Sequence, residues 1–268
     1  MLIIIMHFLT FANTAYPTGF SRIVKQAKDF GIFETIKGAT EHDIPEFIEK
    51  HRDFINNNPK GYGLFIWQPK IILDALEKLN DNEILFYCNS TTHLNKKGLE
   101  KFRKYTSYLE KKDVVVFCVN DNYKPNMYVK QDAILQCFPE FNRIGHNHHY
   151  IYTGSILMKK NKRSISFIKE WLELCENYHF LDTSRSCVQE APWFHGQDSD
   201  NGLYGLAYVK HKVLHDIFYD IYPDEINVYN SYGHQMEHVC HSTGTPKSAI
   251  DWSELNEYPI QYRRDRVN

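Results

Sequence analysis

The chain predicts an α/β fold, a single domain with a mixed, mostly parallel central sheet flanked by helices. Three observations carry this. Apolar runs at residues 1–11, 84–88 and 113–119 lack polar alternation, as strands buried on both faces do. The segments between them repeat apolar residues at helical spacing, as in Ile71, Ile72, Ala75, Leu76 and Leu79. The two patterns also alternate along the chain, the signature of strands joined by crossover helices. With 268 residues, one large domain can bury a proper core.

Taken in order, residues 1–11 read as the first buried strand, ending in the polar loop Thr10-Phe11-Ala12-Asn13. A signal peptide is disfavoured, because the run lacks a positive n-region and Phe11–Ala15 is a poor cleavage site. It is also too short to span a bilayer, and no other segment qualifies. A helix follows over Phe20–Phe30, with Arg22 and Lys25 near its start, and Gly31–Ile36 reads as a second strand. Asp43 is the expected N-cap of a helix that turns Ile44, Phe47, Ile48, Phe54 and Ile55 inward, with Pro45 in its first turn. Gly61-Tyr62-Gly63 is expected to turn tightly and bring backbone close to a ligand. A helix from Trp67 to Leu79 carries Pro69 in its first turn, and the strand Ile84–Thr91 opens into small polar residues. Lys96–Glu110 is a basic surface helix, and Asp113–Val119 a buried strand. Tyr150–Met158 reads as a strand interrupted by Gly154, and Asn161–Asn177 as an amphipathic helix with Trp171 in the core. Leu203–Val209 is an apolar helical run, and Tyr262–Arg266 a basic, solvated tail.

Open α/β sheets place ligands beyond the carboxyl ends of their strands, so residues 10–13 and 88–91 are the expected cradle. Neither GxGxxG nor GxxxxGK[ST] occurs, which argues against a dinucleotide fold and a P-loop. A formal net charge of −2 gives no field that would select nucleic acid or an anionic membrane. The 15% aromatic content admits two readings, an aromatic-rich core or rings lining a sugar groove. The six cysteines show no CxxC pair and several sit in apolar runs, which suits a reducing compartment, the cytoplasm. His146–His149 is a weak zinc candidate, because three histidines in four residues cannot face one way on a strand.

Gly61-Tyr-Gly-x-x-Ile-Trp-x-Pro69, followed by Ile84-Leu-x-Tyr87, resembles a family of GT-A-type glycosyltransferases of large viruses and capsule-making bacteria. That family writes the stretch Gly-Tyr-Gly-Tyr-Trp-Ile-Trp-Lys-Pro and ends the next strand in Asp-Ala-Gly, where other GT-A enzymes carry a DxD metal motif. Looser echoes are Val129–Asp132, Thr153–Leu157, Lys169–Trp171, and His195 with Asp200, so the likeness spans about Phe8 to Val213. Two departures matter: Gln68 replaces the family's Lys, and Asn89-Ser90-Thr91 replaces Asp-Ala-Gly.

The resemblance implies transfer of a sugar from a nucleotide-sugar donor to a glycan acceptor, in the host cytoplasm if the source is viral. Residues 1–120 would be the nucleotide-binding half, 121–250 the acceptor-binding half and 251–268 a tail. Donor contacts are expected from Thr10, Phe11, Asn13, Tyr16, Arg22, Tyr62, Trp67, Gln68, Asn89, Ser90, Lys130, Asp132, Gly154 and Lys247, with Gly154 beneath the transferred sugar. GT-A enzymes mostly steady the leaving diphosphate with Mn²⁺ or Mg²⁺, hard cations that prefer carboxylates. At Asn89 three readings stay open: a metal held by Asn89 with ligands elsewhere, its replacement by cations and helix dipoles, or lost transfer activity. The stretch His241–Lys247 is similar to the HxxGxxK segment of some retaining GT-A enzymes, so His241 would be the further ligand. An inverting reaction needs a carboxylate to take the acceptor's proton. Asp200 and Asp198 are the candidates, with His195 orienting the acceptor; Asp200 as a helix cap is the bland alternative. A hydrolase using Asp198 and Asp200, and a catalytically silent sugar-nucleotide-binding module, are the competing classes. Oligomeric state and the stereochemical outcome are left open.

Overall fold

The computed structural model describes residues 5–15, 17, 19–118, 124–139, 148–197, 199–221 and the backbone of 260–262. Six strands form one mixed sheet in the order β2-β1-β3-β6-β5-β7. They are β1 (Met6–Phe11), β2 (Thr35–Ala39), β3 (Ile84–Cys88), β5 (Val114–Cys118), β6 (Ile151–Lys159) and β7 (Phe218–Ile221). The pairs β1–β2, β1–β3 and β5–β7 are parallel, while β6 runs antiparallel between β3 and β5. Helices cover both faces, as the strand–helix alternation predicts.

Side-chain alternation splits the core in two. Leu9, Phe11, Leu85, Tyr87, Val114, Val116, Ile156 and Met158 face α5 (Trp67–Glu77), α8 (Lys162–Glu176) and α10 (Ser199–His215). Met6, Phe8, Ile84, Phe86, Cys88, Val115, Phe117 and Leu157 face α1 (Phe20–Phe30) and α6 (Leu99–Ser107). Much of the aromatic surplus goes into packing these layers. Phe30, Phe33, Phe86 and Phe102 meet at centroid distances of 4.9–6.2 Å. Trp171, Tyr204, Phe167 and Phe218 do the same opposite, and Trp171 is core as expected.

Several boundaries move. The second strand begins at Thr35, not Gly31, and forms an exposed edge against β1. The helix expected from Asp43 breaks at His51 into α2 (Pro45–Lys50) and α3 (Arg52–Asn57). Asp43 instead closes a capping box with Thr40. Gly154 does not interrupt β6; the irregularity is a register shift opposite Val116–Cys118. The expected tail contributes β8 (Ile260–Tyr262), which pairs antiparallel with β4 (Thr92–Leu94). Smaller pieces are α4 (Gly61–Leu64), α7 (Gln131–Cys137) and α9 (Tyr178–Leu181). Among the described residues, no helix is long and apolar enough to cross a membrane.

Candidate functional site

The chain leaves β1 to one side for β2, and β3 later pairs on its other side. The carboxyl end of β1 is therefore a topological switch point, where an open sheet leaves a crevice. Phe11–Asn13 stand at this end of β1, and the end of β3, Cys88–Ser90, lies beside it. Because β6 is antiparallel, its amino end reaches the same edge, and Asn89 N–H donates to Gly154 O at 2.9 Å.

Tyr62 of α4 reaches Asn13 at this edge, and the backbone of α4 is unusual. Gly61, Tyr62, Gly63, Leu64 and Phe65 all have positive φ, between 54° and 83°. Leu64 N–H bonds Lys60 O and Phe65 N–H bonds Gly61 O, so the segment is one turn of left-handed helix. Each non-glycine residue there costs roughly 1–2 kcal/mol. The two glycines limit the strain and the crowding, since a Cβ on Gly63 would lie 2.7 Å from Ile55 Cγ1. Trp67 Nε1–H ties the turn down by donating to Gly61 O at 2.9 Å. The tight turn read from Gly-Tyr-Gly is present, with a handedness that the motif did not specify.

What the turn presents is Tyr62. Burial pushes its hydroxyl up, the negative charge of Glu41 adds to this, and a hydrogen bond with Asn13 works the other way. Asn13 Oδ1 accepts from Ala15 N–H, and Glu41 accepts from both the N–H and the hydroxyl of Thr14. Glu41 is a member of this cluster that its sequence position, between a strand and a short helix, does not advertise. Phe11 and Trp67 stack on each other with centroids 3.9 Å apart, at 3% and 5% exposure, so their faces serve the core. Thr10 is fully buried within β1. Tyr16 lies outside the described residues.

Around β3 the polar groups are mostly committed to one another. Tyr87 O–H donates to Asn89 Oδ1 at 2.6 Å. Burial drives the Tyr87 hydroxyl well up, and the nearby Asp200 charge drives it further. Arg22 donates to the carbonyls of Ser90 and Thr92 at 2.9 and 2.8 Å, shaping the loop after β3. Gln68 is fully buried; its Nε2 donates to Thr153 O at 2.7 Å, and its Oε1 is a buried acceptor with no hydrogen-bond partner among the described residues. The space above Gly154, expected to receive a sugar, holds the Tyr152 ring, which would collide with any Cβ there.

Asp200 is in the first turn of α10, at 2% exposure, and its carbonyl accepts from Trp171 Nε1 at 3.1 Å. Its neighbours fix the start of the helix. Asn201 Oδ1 accepts Thr153 N–H at 2.8 Å while its Nδ2 donates to Ile151 O and the Tyr150 hydroxyl, clamping α10 to β6. Gly202 lets the helix rest directly on the Tyr128 carbonyl. His195 is exposed, its N–H donating to Met127 O at 2.8 Å. Asp198, His241 and Lys247 lie outside the described residues.

Lys130 and Asp132 belong to a different cluster. Lys130 is 1% exposed, and its three N–H groups are taken by His179 O, Asp182 Oδ1 and Ser184 Oγ. Asp132 accepts from Cys187 N–H and Val188 N–H, and its Oδ2 lies 2.6 Å from His179 Nε2. Burial opposes ionisation of Asp132, yet these hydrogen bonds hold its carboxyl below the usual range. A lysine so saturated has no donor left for a phosphate. Spacing along the chain gave no signal of this cluster, because His179 and Cys187 lie 47 and 55 residues from Asp132.

A hard dication at Asn89 finds a poor donor set. Asn89 Oδ1 already accepts from Tyr87. Among the described residues, three carboxylate, imidazole or thiolate donors come together at Asp132, His179 and Cys187, not beside Asn89. The described residues there do not fit a resident Mn²⁺ or Mg²⁺.

Three solved structures with similar chain paths are glycosyltransferases. Mouse xyloside xylosyltransferase 1 matches at 8% identity and a TM-score of 0.46, over 97% of this chain and 98% of that one. A glycosyltransferase involved in glycosylation of the major capsid of PBCV-1 matches at 15% and 0.46, over 96% and 94%. An active-site mutant of LgtC matches at 11% and 0.47, over 96% and 86%. No family model matches the chain, and no curated protein does.

Proposed function

We propose that the chain binds a nucleotide sugar in the crevice above β1 and β3 and transfers the sugar to a carbohydrate acceptor. The observation that carries this reading is the strained left-handed turn holding Tyr62 over Asn13 at the switch point. Strain of this kind persists where surrounding structure enforces it, and it gathers at ligand sites. In this reading the nucleoside lies along Asn13 and Tyr62, and the diphosphate points toward the backbone of Asn89 and Ser90. The acceptor oxygen attacks the anomeric carbon, the bond to the phosphate oxygen breaks, and nucleoside diphosphate leaves. For inversion, Asp200 takes the acceptor's proton. The first turn of α10 favours its negative charge.

A second reading keeps the pocket without the chemistry. It is favoured by the 2% exposure of Asp200, by Tyr87 occupying the Asn89 carbonyl, and by the lack of a hard-cation donor set among the described residues beside Asn89. A thermal-shift screen of nucleoside diphosphates and their sugars, with and without Mn²⁺, tests the shared part, since a ligand of the native state raises the melting point. No stabilisation by any of them removes both readings. Release of free diphosphate and sugar separates the two. For the transferase, Asp200→Asn lowers turnover about 10²- to 10⁴-fold with donor binding nearly intact; lost binding instead assigns Asp200 to the pocket wall.

A further inference from the structure

The cluster between α7 and the segment 178–190 contains a convergence that the donor pocket does not use. His179 Nε2 lies 2.6 Å from Asp132 Oδ2 and 3.6 Å from Cys187 Sγ, and all three donor atoms fall within 4.8 Å of one another. On the other side of the ring, His179 Nδ1 is 3.2 Å from Ser184 Oγ. That hydroxyl already donates to Asp182 Oδ1 and accepts from Lys130, which leaves it one acceptor position. Nδ1–H is then the donor, and the Nε2 lone pair points at the Asp132 carboxylate. The imidazole nitrogen and the carboxylate oxygen, 2.6 Å apart, are then two ligand atoms facing one another.

We propose that Asp132, His179 and Cys187 form a transition-metal site, suited to Zn²⁺, that pins the segment 178–190 to α7. The donor set is one carboxylate oxygen, one imidazole nitrogen and one thiolate, which selects borderline-soft ions over Mg²⁺ or Ca²⁺. Zinc bonds of roughly 2.0–2.3 Å in a tetrahedron set the N···S separation at about 3.5 Å and the N···O separation at about 3.3 Å. The first is already met, and the second needs the Asp132–His179 contact to open by about 0.7 Å, given the same bond lengths. Cys187 is exposed, so the fourth position opens to water. An outer shell is also in place. Cys187 and Val188 N–H groups hold the carboxylate at 2.8 and 3.2 Å, and Ser184 orients the ring. The ion would tie down the stretch leading to Trp193–Asp200, and it requires no donor sugar.

The test uses the full chain, reduced and stripped with a chelator, then titrated with Zn²⁺, Co²⁺ or Mg²⁺. Zn²⁺ is expected to bind with about one equivalent dependent on this cluster and to raise the melting point, whereas Mg²⁺ does neither. Co²⁺ is expected to give a thiolate-to-metal charge-transfer band that disappears in Cys187→Ser and in His179→Ala. Ser184→Ala, which leaves all three ligands, weakens uptake about 10- to 100-fold. Cys187 is at the surface, so Cys187→Ser keeps the fold and isolates the ligand effect. A cobalt spectrum without the thiolate band, or zinc stabilisation equal in wild type and Cys187→Ser, overturns the proposal. Neither result bears on nucleotide-sugar binding, which is read separately.

Discussion

The crevice above β1 and β3 and the cluster beside α7 meet at the start of α10, yet they are assembled in opposite ways. Strand ends and a left-handed turn, with Glu41 close to Tyr62, shape the edge above β1 and β3, and Asp200 is buried. Side chains from distant segments, Lys130 with Asp182 and Asp132 with His179, pair in the cluster. Gln197 bridges the two, accepting from Lys130 N–H and donating to Ser199 O. The contrast separates backbone-built space, which invites a ligand, from side-chain pairing, which fixes a segment. It also shows why cations are unreliable markers of a phosphate site. Arg22 and Lys130 both spend their donors on the protein itself.

The joint between the regions offers the strongest way to break this contrast. Gly202→Ala drives a methyl group into the Tyr128 carbonyl, and the expected loss is about 3 kcal/mol from overpacking against backbone. Urea denaturation measures it, and a loss below the error of the method would mean that α10 is free to shift. Lys130→Met comes next, at about 2–3 kcal/mol. This is less than removing one partner of a fully buried pair, because the Asp182 side chain keeps 30% exposure. If Lys130 were instead a donor contact, the variant would lose nucleotide-sugar binding with its stability unchanged.

Tyr62→Phe sharpens the other side. It removes the hydroxyl bonded to Asn13 without altering the turn, so nucleotide-sugar affinity is expected to fall by about 1 kcal/mol, with a small drop in the melting point of the free protein from the lost hydrogen bond. Unchanged affinity would place the nucleoside elsewhere. The smallest effect concerns pH. His51, between α2 and α3, binds Glu176 at 3.0 Å and the Tyr178 hydroxyl at 2.6 Å. Burial lowers its pKa despite Glu176, so the unfolded chain takes up the proton first on acidification. Stability from this group is therefore present above the unfolded value of about 6.5 and is lost as pH falls below it toward the folded pKa. Glu176, also held below its usual range, adds loss in the same direction at lower pH. In His51→Gln the decline between about pH 7 and 5 becomes shallower, which denaturation at stepped pH would show.

Much of the architecture was legible because its causes are local. Uninterrupted apolar runs such as Ile84–Cys88 must be buried on both faces, and 3.6-residue spacing turns Ile71, Ile72 and Leu76 toward them. The same runs put Asn13 and Asn89 at one edge of the sheet. Gln68, which looked like a departure from a motif, is a joint, as are Asn201 and Gly202: the first two hold β6 by hydrogen bonds and the third allows close approach. No spacing rule announces that, since each acts on a segment tens of residues away.

The sequence by itself determined the layers of the sheet and the presence of a sharp turn at Gly61–Gly63, because periodicity and glycine act within a few residues. Tertiary structure decided the left-handed sense of that turn, the closure of Tyr152 over Gly154, and the meeting of Asp132, His179 and Cys187. Those outcomes depend on which surfaces the packed helices and strands bring within hydrogen-bond reach, a quantity that residue order alone does not contain.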